Sequence, residues 1–192
     1  MGNRDVCRRP PWDPFQALIV MFYEFHKYIR NSRVAGILAL GALIIGIILV
    51  VPPVLGHSYP DDPAYFAQRF IAWVNVLVVV GAALFASDSL ASEFQDRTGY
   101  LLFSHPAKRW VLFAGKLAAS LGAMFFLIAT FYMVVAALTF WKYGEVPDRL
   151  MFYSGALALM YAITATGVGF LVSSFMTVSY THLRAHETGR NL

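Results

Sequence analysis

The chain has 192 residues, of which 58% are hydrophobic and only 14% are charged, and its formal net charge is +4. Soluble domains carry about 25% charged residues, and much of any folded surface has to face water. This composition excludes an ordinary soluble domain and predicts an all-α protein that spans a membrane. The single cysteine, Cys7, excludes a disulfide within the chain and a cysteine cluster for a metal.

The segment before the first long apolar run is predicted to form an amphipathic helix. Within residues 15–33, apolar side chains recur with a helical period and charged side chains cluster towards the end. Pro14 suits a first helical turn, and Asp13 is available as its cap. We expect this helix to lie in the membrane interface, because Asn31 and Ser32 offer a weak break after it. A cytosolic extension of the first spanning helix is the alternative.

Four apolar segments follow, and none of them contains Asp, Glu, Lys or Arg. Each is long enough to cross about 30 Å of hydrocarbon at 1.5 Å per residue. The predicted spans are residues 34–55, 70–87, 117–141 and 151–176. The transmembrane domain is therefore expected to cover residues 34–176, after an N-terminal segment of residues 1–33 that holds the interfacial helix.

Lysine and arginine are unevenly distributed between the segments that flank the spans. Six precede the first span, one lies before the second, four lie before the third and two lie before the fourth. The positive-inside rule therefore places the N-terminus and residues 88–116 in the cytoplasm of a multi-pass protein of the cell (plasma) membrane.

The cytosolic loop, residues 88–116, has the most distinctive sequence of the chain. Residues 89–97 are predicted to form a short polar helix, which Thr98 and Gly99 end. A compact apolar patch at residues 100–103 follows. A short amphipathic helix between two spans, with apolar side chains facing the cytosol, indicates a surface on which a partner docks.

This loop resembles the one between the second and third spans of the membrane subunits of ABC-2 type ABC transporters. The elements that match are, in order, Glu93, Arg97-Thr98-Gly99, Leu101-Leu102, Ser104, Pro106, Lys108-Arg109 and Gly115-Lys116. The N-terminal helix and the order of spans support the resemblance, which covers most of residues 15–176. It implies the permease subunit of an ATP-driven transporter, with an interfacial helix and about four transmembrane helices of a six-helix bundle. No nucleic-acid partner is expected.

The resemblance further implies that the loop is a coupling helix on which a separate cytosolic ATPase docks, and that a second permease subunit completes a homo- or heterodimer. We predict that the docking residues are Glu93, Arg97, Tyr100, Leu101 and Leu102. For Glu93 and Arg97, the alternative is a surface pair at i,i+4 that contributes a few tenths of a kcal/mol. The chain has no G-x-x-x-x-G-K-[ST] phosphate loop, so we expect no enzyme activity in this subunit.

Polar residues inside the predicted spans are few. No carboxylate or basic side chain lies there, which argues against a proton relay of the secondary-transporter kind. Asn75 is a weak candidate for the substrate path, and a hydrogen bond to a neighbouring helix is the alternative. Neither His57 nor His105 has a cysteine or carboxylate at metal-ligand spacing, so no catalytic residue, metal or cofactor is predicted.

Residues 177–192 are predicted to be a non-native tail. The stretch 178–188 resembles the in-frame translation of transposase adapter DNA, so His182 and His186 are not counted as a metal site. We expect the native chain to be truncated here, with about two spans of the family's six missing. A genuine polar cytosolic tail is the alternative. For the whole chain, the alternative to a permease is a non-transporting membrane scaffold or assembly protein.

Overall fold

The computed structural model describes residues 12–30, 32–95 and 108–190, and for residues 86–95, 109 and 175–190 it describes the backbone alone. Within these residues the chain forms six helices and no strand. The helices are α1 (Asp13–Arg30), α2 (Ser32–Val54), α3 (Pro63–Ile71), α4 (Val74–Gln95), α5 (Arg109–Tyr143) and α6 (Asp148–Arg190). The predicted all-α architecture is confirmed.

Four stretches of the described residues are long and apolar enough to cross a membrane. They are Ser32–Val54, Pro63–Phe85, Trp110–Tyr143 and Asp148–Ser174. Between 22% and 39% of the most apolar window of each stretch is buried inside the chain. Most residues of these apolar windows are therefore at least partly exposed on the chain, which a bilayer permits and water disfavours.

The second stretch begins earlier than the predicted start at residue 70, because α3 precedes α4. Asp62 caps α3 by accepting a hydrogen bond from the Ala64 N–H at 2.8 Å, and Pro63 occupies the first turn. A short turn at Ala72 and Trp73 separates α3 from α4. In the sequence, Arg69 set the start of the predicted span. In the structure, Arg69 is an exposed residue within α3, and the helix continues past it.

Two prolines lie inside the last turns of α2. Pro53 has no N–H, so the carbonyl of Leu49 loses its helical donor. The Tyr59 hydroxyl of the following loop donates to that carbonyl instead. The helix continues through the prolines, since the Leu55 N–H donates to the Val51 carbonyl at 3.1 Å. This substitution of one donor for another fixes the loop 55–62 against the end of α2.

Helix α5 is longer than a membrane requires. Its 35 residues extend over about 52 Å at 1.5 Å per residue, compared with about 30 Å of hydrocarbon. It ends at Gly144, whose φ of 73° is left-handed and whose N–H donates to the Phe140 carbonyl at 2.8 Å. The start of α5 therefore extends beyond the predicted span, which begins at residue 117.

Helix α6 contains the whole of the predicted fourth span, residues 151–176. It continues as helix through most of the predicted tail and ends at Arg190. The assignment of residues 177–192 as a non-native tail stays a prediction.

The core lies where α4 and α5 meet, with α1, α2, α3 and α6 packed around them. Its large, fully buried side chains include Phe66 and Phe70 of α3, Phe85 of α4, Met124 of α5 and Ile37 of α2. Gly81 permits the close contact, since a Cβ there would lie 2.7 Å from the Met124 Sδ. The two helices that flank the predicted docking loop are thus held together by tight packing.

Candidate functional site

Of the predicted docking residues, only Glu93 falls within the described residues, near the end of α4. Glu93 belongs to α4, which runs without interruption from Val74 to Gln95, so no separate short helix covers residues 89–95. Arg97, Tyr100, Leu101 and Leu102 lie outside the described residues. The docking set therefore stays a prediction, while the structure defines the two helices from which its loop emerges.

Asn75, the candidate for the substrate path, lies in the first turn of α4 at the opposite end of that helix. Its side chain is exposed on the surface of the chain. A lipid, a second subunit or a substrate can therefore contact its amide. Its assignment to a substrate path stays a prediction.

At the loop end, α1 packs closely against α5 at Gly115. A Cβ on Gly115 would lie 2.8 Å from the Cβ and Cγ1 atoms of Val20 and 2.9 Å from the Ala17 carbonyl oxygen. Only glycine allows the two backbones to approach this closely. Two turns later, a Cβ on Gly122 would lie 3.5 Å from the Phe25 ring, which is an ordinary contact. The contacts advance along both helices together, so α1 and α5 run in the same direction.

A buried ion pair lies beside the Gly115 contact. The Lys116 Nζ donates to the Glu24 Oε1 at 2.9 Å, and the two side chains are only 3% and 10% exposed. Burying a charge is costly unless it is paired and hydrogen-bonded. Lys27 adds a second cation at 3.9 Å from the other carboxylate oxygen, but its side chain is 48% exposed. Glu24 and Lys116 therefore join α1 and α5 through a buried ion pair.

A second, exposed ion pair joins the same two helices nearer the loop. The Lys108 Nζ donates to the Asp13 Oδ2 at 2.5 Å. Asp13 was expected to cap α1, but it is the first helical residue, and the Trp12 carbonyl accepts the first helical hydrogen bonds. Since both side chains are solvated, this pair contributes little to stability.

Helix α1 also contacts α4, through Tyr28. The rings of Tyr28 and Phe85 are 5.3 Å apart, and the Tyr28 hydroxyl donates to the Phe85 carbonyl at 3.4 Å. Helix α1 therefore touches both helices that flank residues 96–107. These contacts lie at Phe85 in α4 and at Gly115 in α5.

The face of α1 directed away from α5 is apolar. Its exposed large side chains are Phe15, Leu18, Ile19, Phe22, Tyr23 and Ile29, and the exposed Trp12 directly precedes the helix. The amphipathic helix predicted from the sequence is present, but its buried residues are Glu24 and Tyr28. An exposed apolar face of this kind is typical of a helix that lies in a membrane interface or against a partner.

At the opposite end of the bundle, Lys142 is surrounded by aromatic rings. Its Nζ lies 3.4 Å from the centroid of the Tyr59 ring, 4.9 Å from that of Phe66 and 5.1 Å from that of Tyr143. The Tyr143 hydroxyl donates to the Pro60 carbonyl. Aromatic faces attract cations. The cluster therefore ties the end of α5 to the loop before α3.

An open cleft of about 600 Å³ lies beside this aromatic cluster. It is lined by Ser58, Tyr59, Pro60, Asp61, Tyr65, Gln68, Arg69 and Ala72. Within the part of the chain that the structure describes, no group of three or more His, Cys, Asp and Glu side chains could hold a metal ion.

Sequence reasoning missed Glu24 and Lys116 as a pair. Both were treated as charges flanking apolar segments, because 92 positions separate them. One signal was available: Gly115 and Lys116 stand together at the end of the loop pattern. The structure gives each a physical role. Gly115 allows the backbone of α1 to approach closely, and Lys116 forms an ion pair with Glu24 of α1.

Comparison with known proteins gives one match. The pattern of the family described as "ABC-2 family transporter protein" matches residues 18–184. The match includes all of α2 to α5, most of α1 and α6, and the segment between α4 and α5. No curated protein and no solved structure matches the chain.

Proposed function

The chain belongs to the ABC-2 family of transporter proteins, and we propose that it moves a substrate across the cell membrane when coupled to a separate ATPase subunit. The observation that carries the proposal is the family match over residues 18–184, on a chain with four candidate spans. ATP binding and hydrolysis then belong to the ATPase. A second permease subunit, identical or related, completes the transporter.

The ATPase docks on the segment between α4 and α5, through Glu93, Arg97, Tyr100, Leu101 and Leu102. The contacts of α1 with both flanking helices, at Phe85 and at Gly115, support this assignment, because a docking segment transmits force only if the helices on either side of it are connected to the parts that have to move. The distribution of lysine and arginine supports a cytoplasmic position for this end of the bundle and for the N-terminus.

Docking is tested by reversing charge or inserting charge in this segment. Glu93→Arg and Leu102→Arg are each expected to lower recovery of the ATPase with the tagged full-length chain by about tenfold, which corresponds to about 1.4 kcal/mol. Glu145→Arg is the matched control, since Glu145 is exposed in the short connection between α5 and α6. ATPase recovery that is the same in all three variants and the wild type would refute the docking assignment.

Transport is tested separately from docking. The native complex is reconstituted in vesicles, and ATP hydrolysis is measured with and without candidate substrates. Stimulated hydrolysis that Glu93→Arg abolishes is expected for a permease. An ATPase that binds with undiminished affinity but whose hydrolysis never responds to substrates would indicate the alternative, a scaffold without transport activity.

A further inference from the structure

We propose that the Glu24–Lys116 ion pair makes α1 move together with the start of α5, so that a displacement of the segment 96–107 reaches α1 and α2 as well as α5. Glu24 and Lys116 are then positioning residues of the transporter. The inference rests on the proposed function, because the displacement comes from an ATPase that docks on this segment.

The first step runs from the segment to Lys116. Helix α5 begins at Arg109, directly after Lys108, and continues without a break past Lys116. A continuous α-helix is stiff over two turns, since every residue adds a backbone hydrogen bond. A displacement applied at Lys108 therefore moves Lys116 with it.

The second step runs from α5 to α1 and depends on burial. The ion pair is 2.9 Å long, and its side chains are 3% and 10% exposed. Sliding α1 along α5 would separate two charges in an environment of low dielectric, where an unpaired charge is strongly disfavoured. The close backbone contact at Gly115 adds a steric limit, since Val20 and the Ala17 carbonyl leave no space there. The two helices therefore have one favoured register.

The third step runs from α1 to α2. Helix α1 ends at Arg30 and α2 begins at Ser32, so one residue joins them. In the middle of α2, a Cβ on Gly41 would lie 3.7 Å from a Leu77 side-chain carbon and 3.8 Å from one of Phe131. These are ordinary contacts with side chains, whereas at Gly115 the backbone of α1 itself is in the way. Movement of α1 is thus passed to a spanning helix that can respond.

Lys27 provides a matched control for Lys116. Both ammonium groups lie within 4 Å of the Glu24 carboxylate, at 3.9 Å and 2.9 Å, but Lys27 is 48% exposed and Lys116 is 3% exposed. Lys27→Met and Lys116→Met remove the same charge from the same carboxylate. A difference between them therefore reports the burial of the pair and its position on α5.

The experiment measures distances between spin labels by electron paramagnetic resonance on the full-length chain. Cys7 is the only cysteine, so Cys7→Ser gives a clean background for paired cysteines. One label pair, at the exposed residues Tyr23 and Trp110, reports the distance between α1 and α5. The other, at Tyr23 and Met160, reports the position of α1 relative to α6. Each is measured without nucleotide and in the vanadate-trapped complex with the ATPase.

In the wild type, the Tyr23–Trp110 distance is expected to stay constant on trapping, while the Tyr23–Met160 distance changes. Lys116→Met should broaden the distribution of Tyr23–Trp110 distances and abolish the change in the Tyr23–Met160 distance. Lys27→Met should have neither effect. The double variant Glu24→Lys with Lys116→Glu, which exchanges the two charges, should restore a narrow distribution of Tyr23–Trp110 distances. Glu24→Gln, which keeps the size of the side chain, replaces Lys116→Met if that variant does not fold.

Two outcomes would overturn the inference. One is a wild-type Tyr23–Trp110 distance that changes on trapping, because α1 would then not follow α5. The other is a Lys116→Met protein that behaves like Lys27→Met. If the proposed function itself is wrong, the result is different: the ATPase does not bind the wild-type chain. The ion pair is then judged by the nucleotide-free Tyr23–Trp110 distance in the two variants, which needs no ATPase.

Discussion

At the scale of single residues, two glycines of α5 face α1 in different ways. Gly115 lies where any side chain would collide with Val20 and the backbone at Ala17, whereas Gly122 has space for a methyl group beside Phe25. The sequence shows two glycines seven positions apart on one helix. It does not show which one the neighbouring helix requires, because that depends on a contact made by a distant segment.

Alanine substitutions at these glycines are expected to have opposite signs. Gly115→Ala should destabilise the protein, because overpacking costs about 1–3 kcal/mol and the gain in helix propensity of about 1 kcal/mol offsets only part of it. Gly122→Ala keeps that gain without a clash and should raise the unfolding temperature slightly. Thermal unfolding of both purified variants in detergent measures the difference. Equal shifts would contradict the close contact at Gly115.

Tyr59 combines two separable interactions at the opposite end of the bundle. Its hydroxyl donates to the Leu49 carbonyl, and its ring lies beneath the Lys142 ammonium. Tyr59→Phe keeps the ring but leaves the carbonyl without that donor, so a loss of about 1 kcal/mol is expected. Tyr153→Phe, at an exposed tyrosine of α6, is the control and should have no effect on thermal unfolding.

The ammonium is tested independently of the hydroxyl. Lys142→Met keeps most of the side-chain volume and removes the charge, so about 0.5–1 kcal/mol of cation–π attraction should be lost. If the loss in unfolding free energy is the same in a Tyr59→Leu background as in the wild type, the ring of Tyr59 does not stabilise Lys142.

At the scale of elements, the sequence was sufficient to predict the helices but not to predict which helices pack against each other. Apolar segments without charges predict spanning helices because hydrocarbon admits no unpaired backbone groups. The helical period of residues 15–33 likewise predicted α1. The side of α1 that faces the protein was not predictable, because its buried residues include Glu24, a charge that only the distant Lys116 makes tolerable.

The exposed apolar face of α1 is expected to contact lipid. In bilayers, a spin label at Phe22 should be accessible to dissolved oxygen, and a label at Lys27, about 140° further round the helix, should be accessible to a water-soluble nickel chelate. Both side chains are exposed on the chain, so burial in the protein does not confound the comparison. Equal access of the nickel chelate to both labels would contradict the interfacial position of α1.

The start of α3 shows why the boundaries of helices differ from the boundaries that charges suggest. A rule that excludes charged residues from a span starts the second span after Arg69. That side chain is exposed on a helix that already starts at Pro63. The true start is set by the Asp62 cap and the proline after it, which are local signals of helix initiation. Capping residues therefore locate this boundary better than charge does.

At the scale of the whole molecule, most residues in the apolar windows of the four candidate spans are at least partly exposed on the described chain, with 22–39% of each window buried. Lipid covers part of such a surface, and a second permease subunit would cover another part. The number of spans was predictable because it follows from length and hydropathy. Their arrangement was not, because lipid-facing and protein-facing residues of a spanning helix are equally apolar.

The orientation of the molecule is a prediction from the distribution of charge, and it is directly testable. Translocating lysine and arginine is unfavourable, so segments rich in these residues stay on the cytoplasmic side. Six precede the first span and one lies between the first and second. Cys7 should therefore react with a membrane-impermeant maleimide only after cells are permeabilised. In the Cys7→Ser background, a cysteine at His57, in the loop after α2, should react in intact cells.

This pair of positions also separates orientation from simple inaccessibility. A cysteine that is buried fails to react on either side of the membrane, whereas both sites here should react under one of the two conditions. Labelling of Cys7 in intact cells, together with protection of the site at residue 57, would reverse the orientation. The segment 96–107 would then face outwards, where no ATP is available, and docking of an ATPase at that end of the bundle would be untenable.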